Sequence, residues 1–432
     1  MKISAEMRGI VLTAKGLPDR VTQQKTNWTG VFLGLSLAIL AAYHQFKLPP
    51  VMPIFLESFE YSMLLAGAFM SIYALAGLAF SLSFSAVLQG PRIVIYLHLA
   101  FVAFIFGSSV TLVWPDIGWV MLAARGVEGV GFAVLAVAGP ALCISHAGKH
   151  GLPLAAALLA TWIPVGALIS VVISATVSDV GDWQVLWWTG IFFTVVMSAW
   201  VFWLSRGHSG LRLNLNPAQM PKAEILLSAE HDELVSWKGR AQIIAAALFA
   251  LWSCQLFGFM TWLPQYFVSV HNFELDEAVM GYSLPLVTIG VFNLVAAPIL
   301  RAGVPVTMLL ALALLGQAVV WFLVPVVNGP MGLTLLIAYG IVAGLTPTCL
   351  FALPATILGV RETGARAFGI LMTGRNIGIL TGPLFLSTAL QSVGGWNIAA
   401  LVFGLITIGA AVCAGGLYWK MIGNPARAHT NR

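Results

Sequence analysis

Long apolar runs separated by short polar breaks dominate the chain. A bilayer crossing takes about 20 apolar residues in a helix. Twelve runs meet that length: 29–55, 63–86, 93–113, 117–144, 151–177, 183–204, 241–269, 277–299, 304–327, 330–359, 365–391 and 395–420. In lipid the backbone must satisfy its own hydrogen bonds, so such runs predict helices and an all-α membrane protein. Several runs exceed the minimum, which predicts tilt or continuation past the bilayer. The polar intervals divide the chain into a tail over 1–28, a six-helix half over 29–204, a linker over 205–240, a second six-helix half over 241–420 and a tail over 421–432.

The charges test this parse independently. With both ends placed in the cytoplasm, every lysine and arginine except Lys47, Arg125 and Arg375 falls on the cytoplasmic side. Glu57, Glu60, Asp116, Asp179, Asp182, Glu274, Asp276 and Glu277 fall on the other. Topology follows lysine and arginine in this sense, and a wrong number of spans would scramble the sides. The expected location is the plasma membrane, multi-pass, which is the inner membrane for a bacterial chain.

The two halves also resemble each other. An offset of 214 residues pairs Pro50 with Pro264, Gly67 with Gly281, Gly126 with Gly340 and Pro140 with Pro354. Slightly shifted, Thr161 and Gly166 pair with Thr373 and Gly378, and Trp183 with Trp396. Internal repetition of this kind is typical of carriers whose halves rock about a central site.

Composition excludes much else. Hydrophobic residues make up 59% and charged residues only 9%, against about 25% charged in a soluble domain. The net charge of +5 is accounted for by topology and implies no nucleic-acid partner. Cys143, Cys254, Cys349 and Cys413 lie in apolar stretches without metal-ligand spacing, as small buried hydrophobes do. There is no phosphate-binding loop motif and no interfacial cluster of His, Asp and Glu. An enzyme, a cofactor and a metal are therefore not expected. The expected partners are the lipid bilayer, a small-molecule substrate and protons, with the chain a monomer.

Ionisable groups inside a span are costly and mark function by default. Lys47, Arg125 and Arg375 stand against one deep acid, Glu128. Excess positive charge in a cavity favours anions, and guanidinium offers a planar fork to oxyanions. Arg375 and Lys47 are thus candidate anion ligands, with Asn376, Gln45, Gln255 and Tyr282 as uncharged partners. Lys47 has the alternative of reaching outward to headgroups. Arg125 and Glu128 are i, i+3 neighbours; either they satisfy each other and lock span 4 to span 1, or they gate transport. Glu128 and His44 are the candidate proton carriers, His44 because imidazole titrates near neutrality. Pro49, Pro50 and Pro53 free backbone carbonyls near the end of span 1, which requires protein or water beside them.

Span 4 reads Arg125-Gly-Val-Glu128-Gly129-Val-Gly131-Phe132-Ala133. It resembles the R-x-x-[QE]-G-x-G-A-A motif of the major facilitator superfamily, with Phe132 at the first alanine. TWIPVG at 161–166 and GRNIGILTGP at 374–383 are similar to that family's glycine- and proline-rich pore helices. GDW at 181–183 and GGW at 394–396 sit where the family often has GWR. The loop after span 2 departs from the family's G-x-x-x-D-R-x-G-R-R, with Val87 at the aspartate, and the loop after span 8 has Leu300 at the acid position. The span 5 glycine–proline run of proton-driven exporters is absent, while TWIPVG bears a faint likeness to cyanate- and nitrate-type anion permeases. The resemblance covers essentially the whole chain. It implies a secondary active transporter working by alternating access; the residues favour a small organic or inorganic anion, carried either with proton coupling or by facilitated passage. The alternatives are a proton-driven exporter of amphipathic drug-like compounds and a non-transporting sensor with a carrier fold.

Overall fold

The computed structural model describes residues 25–87, 92–148, 150–175, 180–206, 237–327, 330–358, 365–392 and 395–422. Most of the expected 1–28 tail, of the 205–240 linker and of the 421–432 tail lies outside the described residues. Regular structure among the described residues is helical throughout: α1 (Trp28–Phe46), α2 (Met52–Ser58), α3 (Met63–Val87), α4 (Ile93–Val113), α5 (Gly118–Ser145), α6 (Leu152–Ala160), α7 (Trp162–Ser174), α8 (Gln184–Ser205), α9 (Trp237–His271), α10 (Leu275–Arg301), α11 (Val306–Leu323), α12 (Pro330–Leu358), α13 (Ala365–Ser392) and α14 (Trp396–Ile422). Among these residues nine segments are long and apolar enough to cross a membrane, or ten if the bent pair α6–α7 counts as one. The difference from the twelve expected lies at α3 and α13. Only Met63–Ala79 of α3 qualifies, as a shorter apolar helix, and α13 carries Arg375, Asn376 and several glycines and threonines that lower its hydropathy.

Two runs expected as single spans are broken, and proline explains both. Proline has no N–H to offer the carbonyl four residues back. Pro49 and Pro50 therefore leave the carbonyls of Gln45 and Phe46 free where α1 gives way, through a short 3-10 turn at Pro49–Val51, to α2. Buried side chains fill them: Arg125 Nη2 donates to Gln45 O at 3.0 Å and Ser170 Oγ to Phe46 O at 2.9 Å. The run at 151–177 bends by 49° between α6 and α7, at Thr161. Pro164 frees the Ala160 carbonyl there, which accepts from Asn293 Nδ2 at 3.1 Å.

Helices α1–α8 and α9–α14 pack chiefly among themselves, and the two groups meet mainly through α3 against α13 and α7 against α10. Small residues set the approach, as expected where lipid supplies no hydrophobic drive between helices. Gly374, Gly378 and Gly382 lie one turn apart on α13, against the Ala246, Ala250 and Cys254 carbonyls of α9. A Cβ on any of the three would collide with those oxygens. Gly67 and Gly77 of α3 face Pro383 and Asn376 of α13, so that pair is antiparallel.

The outward faces are apolar. Ile95, Leu99, Val102 and Phe106 form an exposed stripe on α4, and Leu312, Leu315 and Val319 one on α11. Trp188, Phe192 and Val196 on α8, and Leu401, Leu405 and Val412 on α14, do the same. Exposed apolar surface on this scale requires an apolar solvent. Many polar side chains turn inward instead, and the candidate residues lie among them.

Candidate functional site

A polar cluster is buried among α1, α3, α4, α5 and α8, and Glu128 is its centre. Its Oε1 accepts from Lys47 Nζ at 2.8 Å and Ser108 Oγ at 2.6 Å. Its Oε2 accepts from Arg125 Nη1 at 2.9 Å and from the Tyr73 hydroxyl. All four lone-pair positions of the carboxylate are thereby used. Glu128, Lys47 and Arg125 are fully buried, where a carboxylate is tolerable only when paired and hydrogen-bonded.

Arg125 does more than pair with Glu128. Its Nε donates to Phe69 O at 3.3 Å, Nη1 to His44 O at 2.9 Å, and Nη2 to Gln45 O and, at 3.6 Å, Met70 Sδ. The guanidinium sits 4.4 Å from the centre of the Tyr73 ring. It therefore caps the broken end of α1, where a cation also meets the negative end of the helix dipole. No N–H of Arg125 is left over.

Lys47 is engaged likewise. Besides Glu128 it reaches Ser108 Oγ at 2.8 Å and His44 Nδ1 at 3.2 Å. An ammonium only donates, so Nδ1 accepts and the imidazole proton sits on Nε2. Nε2 then donates to Thr194 Oγ1 at 2.9 Å, and Thr194 donates on to Gly190 O at 2.7 Å. The His44 ring stacks on Phe104 at 4.0 Å. The alternative of Lys47 reaching outward to headgroups is thus corrected: Glu128 and Ser108 hold the amine inside the bundle.

The second group of helices has a neutral cluster in the matching place. Gln255 Oε1 on α9 accepts from Trp321 Nε1 at 2.6 Å and Tyr339 OH at 2.9 Å, and its Nε2 donates to Gln317 Oε1 at 2.6 Å. Gln317 Nε2 continues to Thr346 Oγ1 at 2.8 Å. The offset of 214 that pairs Gly126 with Gly340 puts Tyr339 opposite Arg125. One half thus carries charge where the other carries amides and hydroxyls.

Arg375 stands apart from both clusters. It is 6% exposed, on α13 beside the α3 contact. Its Nη1 makes one long contact, 3.4 Å to Asn376 Oδ1, and its Nη2 has no partner. Among the described residues the two ion pairs are Lys47–Glu128 and Arg125–Glu128, so no carboxylate there answers Arg375. Its guanidinium lies 5.9 Å from the centre of the Phe257 ring. Phe257 on α9 is 5.7 Å from Phe46 on α1, a contact between the two groups of helices.

The sequence-selected residues thus separate. His44, Lys47, Arg125 and Glu128 come together in one cluster. Arg375 and Asn376 sit at the junction of the halves, and Gln255 belongs to the neutral cluster. Gln45 is buried with neither side-chain amide atom partnered, and the buried Tyr282 hydroxyl is also unpartnered. Sequence reasoning missed Tyr73, Ser108 and Thr194 in the charged cluster, and Gln317, Trp321 and Tyr339 in the neutral one. The 214-residue offset applied to Arg125 would have pointed to Tyr339.

Two groups of apolar helices around buried polar centres, with a cation that has no carboxylate partner among the described residues where the groups meet, define a multi-pass membrane carrier. The sequence matches the Major Facilitator Superfamily over residues 31–365, and the chain belongs to that family. No curated protein sequence matches it significantly. Among solved structures it is similar to the nucleoside transporter NupG, at 12% identity and TM-score 0.65, covering 89% of this chain and 99% of that one. A single-residue mutant of NupG gives 13%, 0.67, 89% and 100%. A D-xylose-proton symporter gives 14%, 0.66, 89% and 96%. At such identities the likeness concerns the fold. The protein is a membrane transporter of the plasma membrane, not an enzyme.

Proposed function

We propose that this carrier moves a small anion by alternating access, with Arg375 as the substrate's charge partner and protons as the coupling ion. The proposed topology has twelve spans and both ends in the cytoplasm, as the lysine and arginine distribution supports. The halves 29–204 and 241–420 rock about the α3–α13 and α7–α10 contacts, joined by the 205–240 linker. The chain acts as a monomer.

One observation carries the anion reading: Arg375 is a buried guanidinium at the junction of the halves, with a free Nη2 and no carboxylate partner among the described residues. An unanswered charge in such a place costs free energy that an arriving anion recovers. Asn376 supports the reading as its neighbour, and Gln45 and Tyr282 as buried polar groups without partners. Lys47 has its donors spoken for, and Gln255 is held by Gln317, Trp321 and Tyr339, so both act on substrate, in this reading, through rearrangement of their clusters.

Proton coupling belongs to the charged cluster. A proton arriving on Glu128 removes the anion that holds Lys47 and Arg125, so the link from α1 to α5 loosens. A proton on His44 Nδ1 would face the Lys47 ammonium donor to donor, with the same result. Arg125, Glu128 and His44 thereby gate the movement of α1.

The test is thermal stabilisation of the purified protein by a panel of small anions and amphipathic cations, beside Arg375→Met. Stabilisation by an anion that disappears in the variant supports the reading. Stabilisation by amphipathic cations alone, equal in both proteins, overturns it in favour of an exporter of drug-like compounds.

A further inference from the structure

The buried cations of the bundle are not equivalent, and the donors they have left restrict the anion. Lys47 has three ammonium protons and three acceptors: Glu128, Ser108 and His44. Arg125 has five N–H groups and at least as many acceptors. Both are saturated. Among the described residues Arg375 is the buried cation with a donor to spare, and its surroundings are an amide and an aromatic ring rather than further charge.

An inorganic oxyanion taken out of water needs polar partners on every side, because its whole surface is hydrated. A dianion or a dicarboxylate needs two cations. A monocarboxylate with an apolar body needs neither. One guanidinium serves its planar head through parallel N–H···O bonds, and aromatic faces serve the rest. Phe257 lies under the guanidinium and Phe46 lies 5.7 Å beyond it on the other half. Both rings are nearly fully buried. We infer that the substrate is a monocarboxylate with an apolar, aromatic-sized body, its carboxylate on Arg375 and its body against Phe257 and Phe46. This rests on the anion reading above and narrows it.

Because Phe257 on α9 and Phe46 on α1 touch across the junction, a body resting against the pair contacts both halves, and its size bears on closure as well as on affinity. A small inorganic anion on Arg375 would leave the Phe46 side untouched.

The test uses the full-length purified protein and four probes: benzoate, nitrate, sulfate and succinate. Dissociation constants are read from the concentration dependence of the melting temperature in the wild type, Arg375→Met and Phe257→Leu. The expected result is that benzoate binds more tightly than the other three. Benzoate affinity should fall at least about tenfold in Arg375→Met, the loss of a charge-assisted bond. It should fall roughly three- to tenfold in Phe257→Leu, the loss of an aromatic contact. Monodisperse elution of each variant shows that it is folded, and Phe257→Tyr, which keeps the ring, should retain benzoate binding if Phe257→Leu elutes aggregated. Nitrate or sulfate binding through Arg375 more tightly than benzoate would overturn the inference and leave the anion carrier standing. So would benzoate binding through Arg375 with Phe257→Leu unchanged. Binding by none of the probes, or equal binding in Arg375→Met, would overturn both.

Discussion

Glu128→Gln should destabilise the protein far more than Lys47→Met, although the two residues form one ion pair. Glu128 is the sole acid of the charged cluster and accepts from Lys47, Ser108, Arg125 and Tyr73. Glutamine keeps the volume but leaves two buried cations without an anion, and it turns an NH2 toward at least one existing donor. Breaking a buried pair in this way costs about 3–5 kcal/mol. Lys47→Met removes a cation instead. The Arg125–Glu128 pair at 2.9 Å survives and Ser108 still serves Oε1, so His44 Nδ1 is stranded, while Glu128 Oε1 and Ser108 Oγ each lose one donor and keep another bond. That costs about 1–2 kcal/mol. For a folding unit the size of one half, each kcal/mol moves the melting temperature by about 2–4 °C, so Glu128→Gln should lower it by roughly 6–20 °C. The assay is thermal unfolding of the purified variants in one detergent, with the double variant included. The double variant should be more stable than the sum of the single effects allows, because removing Lys47 relieves one of the stranded charges. Equal losses in the two single variants, or a loss under about 1 kcal/mol for Glu128→Gln, would refute the view that this acid is the counter-ion both cations share.

Arg375→Met should leave the melting temperature unchanged or raise it, since it removes an unanswered buried charge, while abolishing stabilisation by anions; unfolding with and without benzoate reads both. Gly378→Ala should destabilise by about 1–3 kcal/mol and slow transport, because its Cβ would collide with the Ala250 carbonyl. Gly409→Ala, with nothing within 4 Å of its Cβ, should do neither. Gln255→Leu should cost about 2–5 kcal/mol by stranding the Trp321 indole N–H, the Tyr339 hydroxyl and the Gln317 amide, and unfolding in the presence of an anion should show the binding shift preserved.

Much of the architecture is legible in the sequence because lipid enforces it: the apolar runs must be helices, and the loops must sort their charges. The intramembrane cations and Glu128 stand out for the same reason, and the i, i+3 spacing of Arg125 and Glu128 announces their contact. Their remaining partners could not be read. Lys47 meets Glu128 across 81 positions and His44 meets Thr194 across 150. Ser108 and Thr194 look like any small polar residue in a span. The break of the fifth run at Thr161 was hidden by its continuous hydrophobicity, although Pro164 was in plain view and freed the carbonyl that Asn293 fills. Lys47 was ambiguous from sequence because its reach permits either an inward or an outward amine. The contact with Glu128 needs the packing of α1 against α5, which Gly34 and Gly139 bring about by close backbone approach.

The central claim is that an anion crosses the bundle through Arg375, and counterflow in proteoliposomes tests it most directly. Vesicles holding purified protein would be loaded with unlabelled mandelate or nitrate, and uptake of the same labelled anion followed from a trace outside. Mandelate is a strong enough acid that little neutral form leaks through the bilayer. The account predicts transient accumulation of the labelled anion in wild-type vesicles and none in Arg375→Met vesicles carrying the same amount of folded protein. Accumulation of neither anion in the wild type, or equal accumulation in the variant, would contradict it.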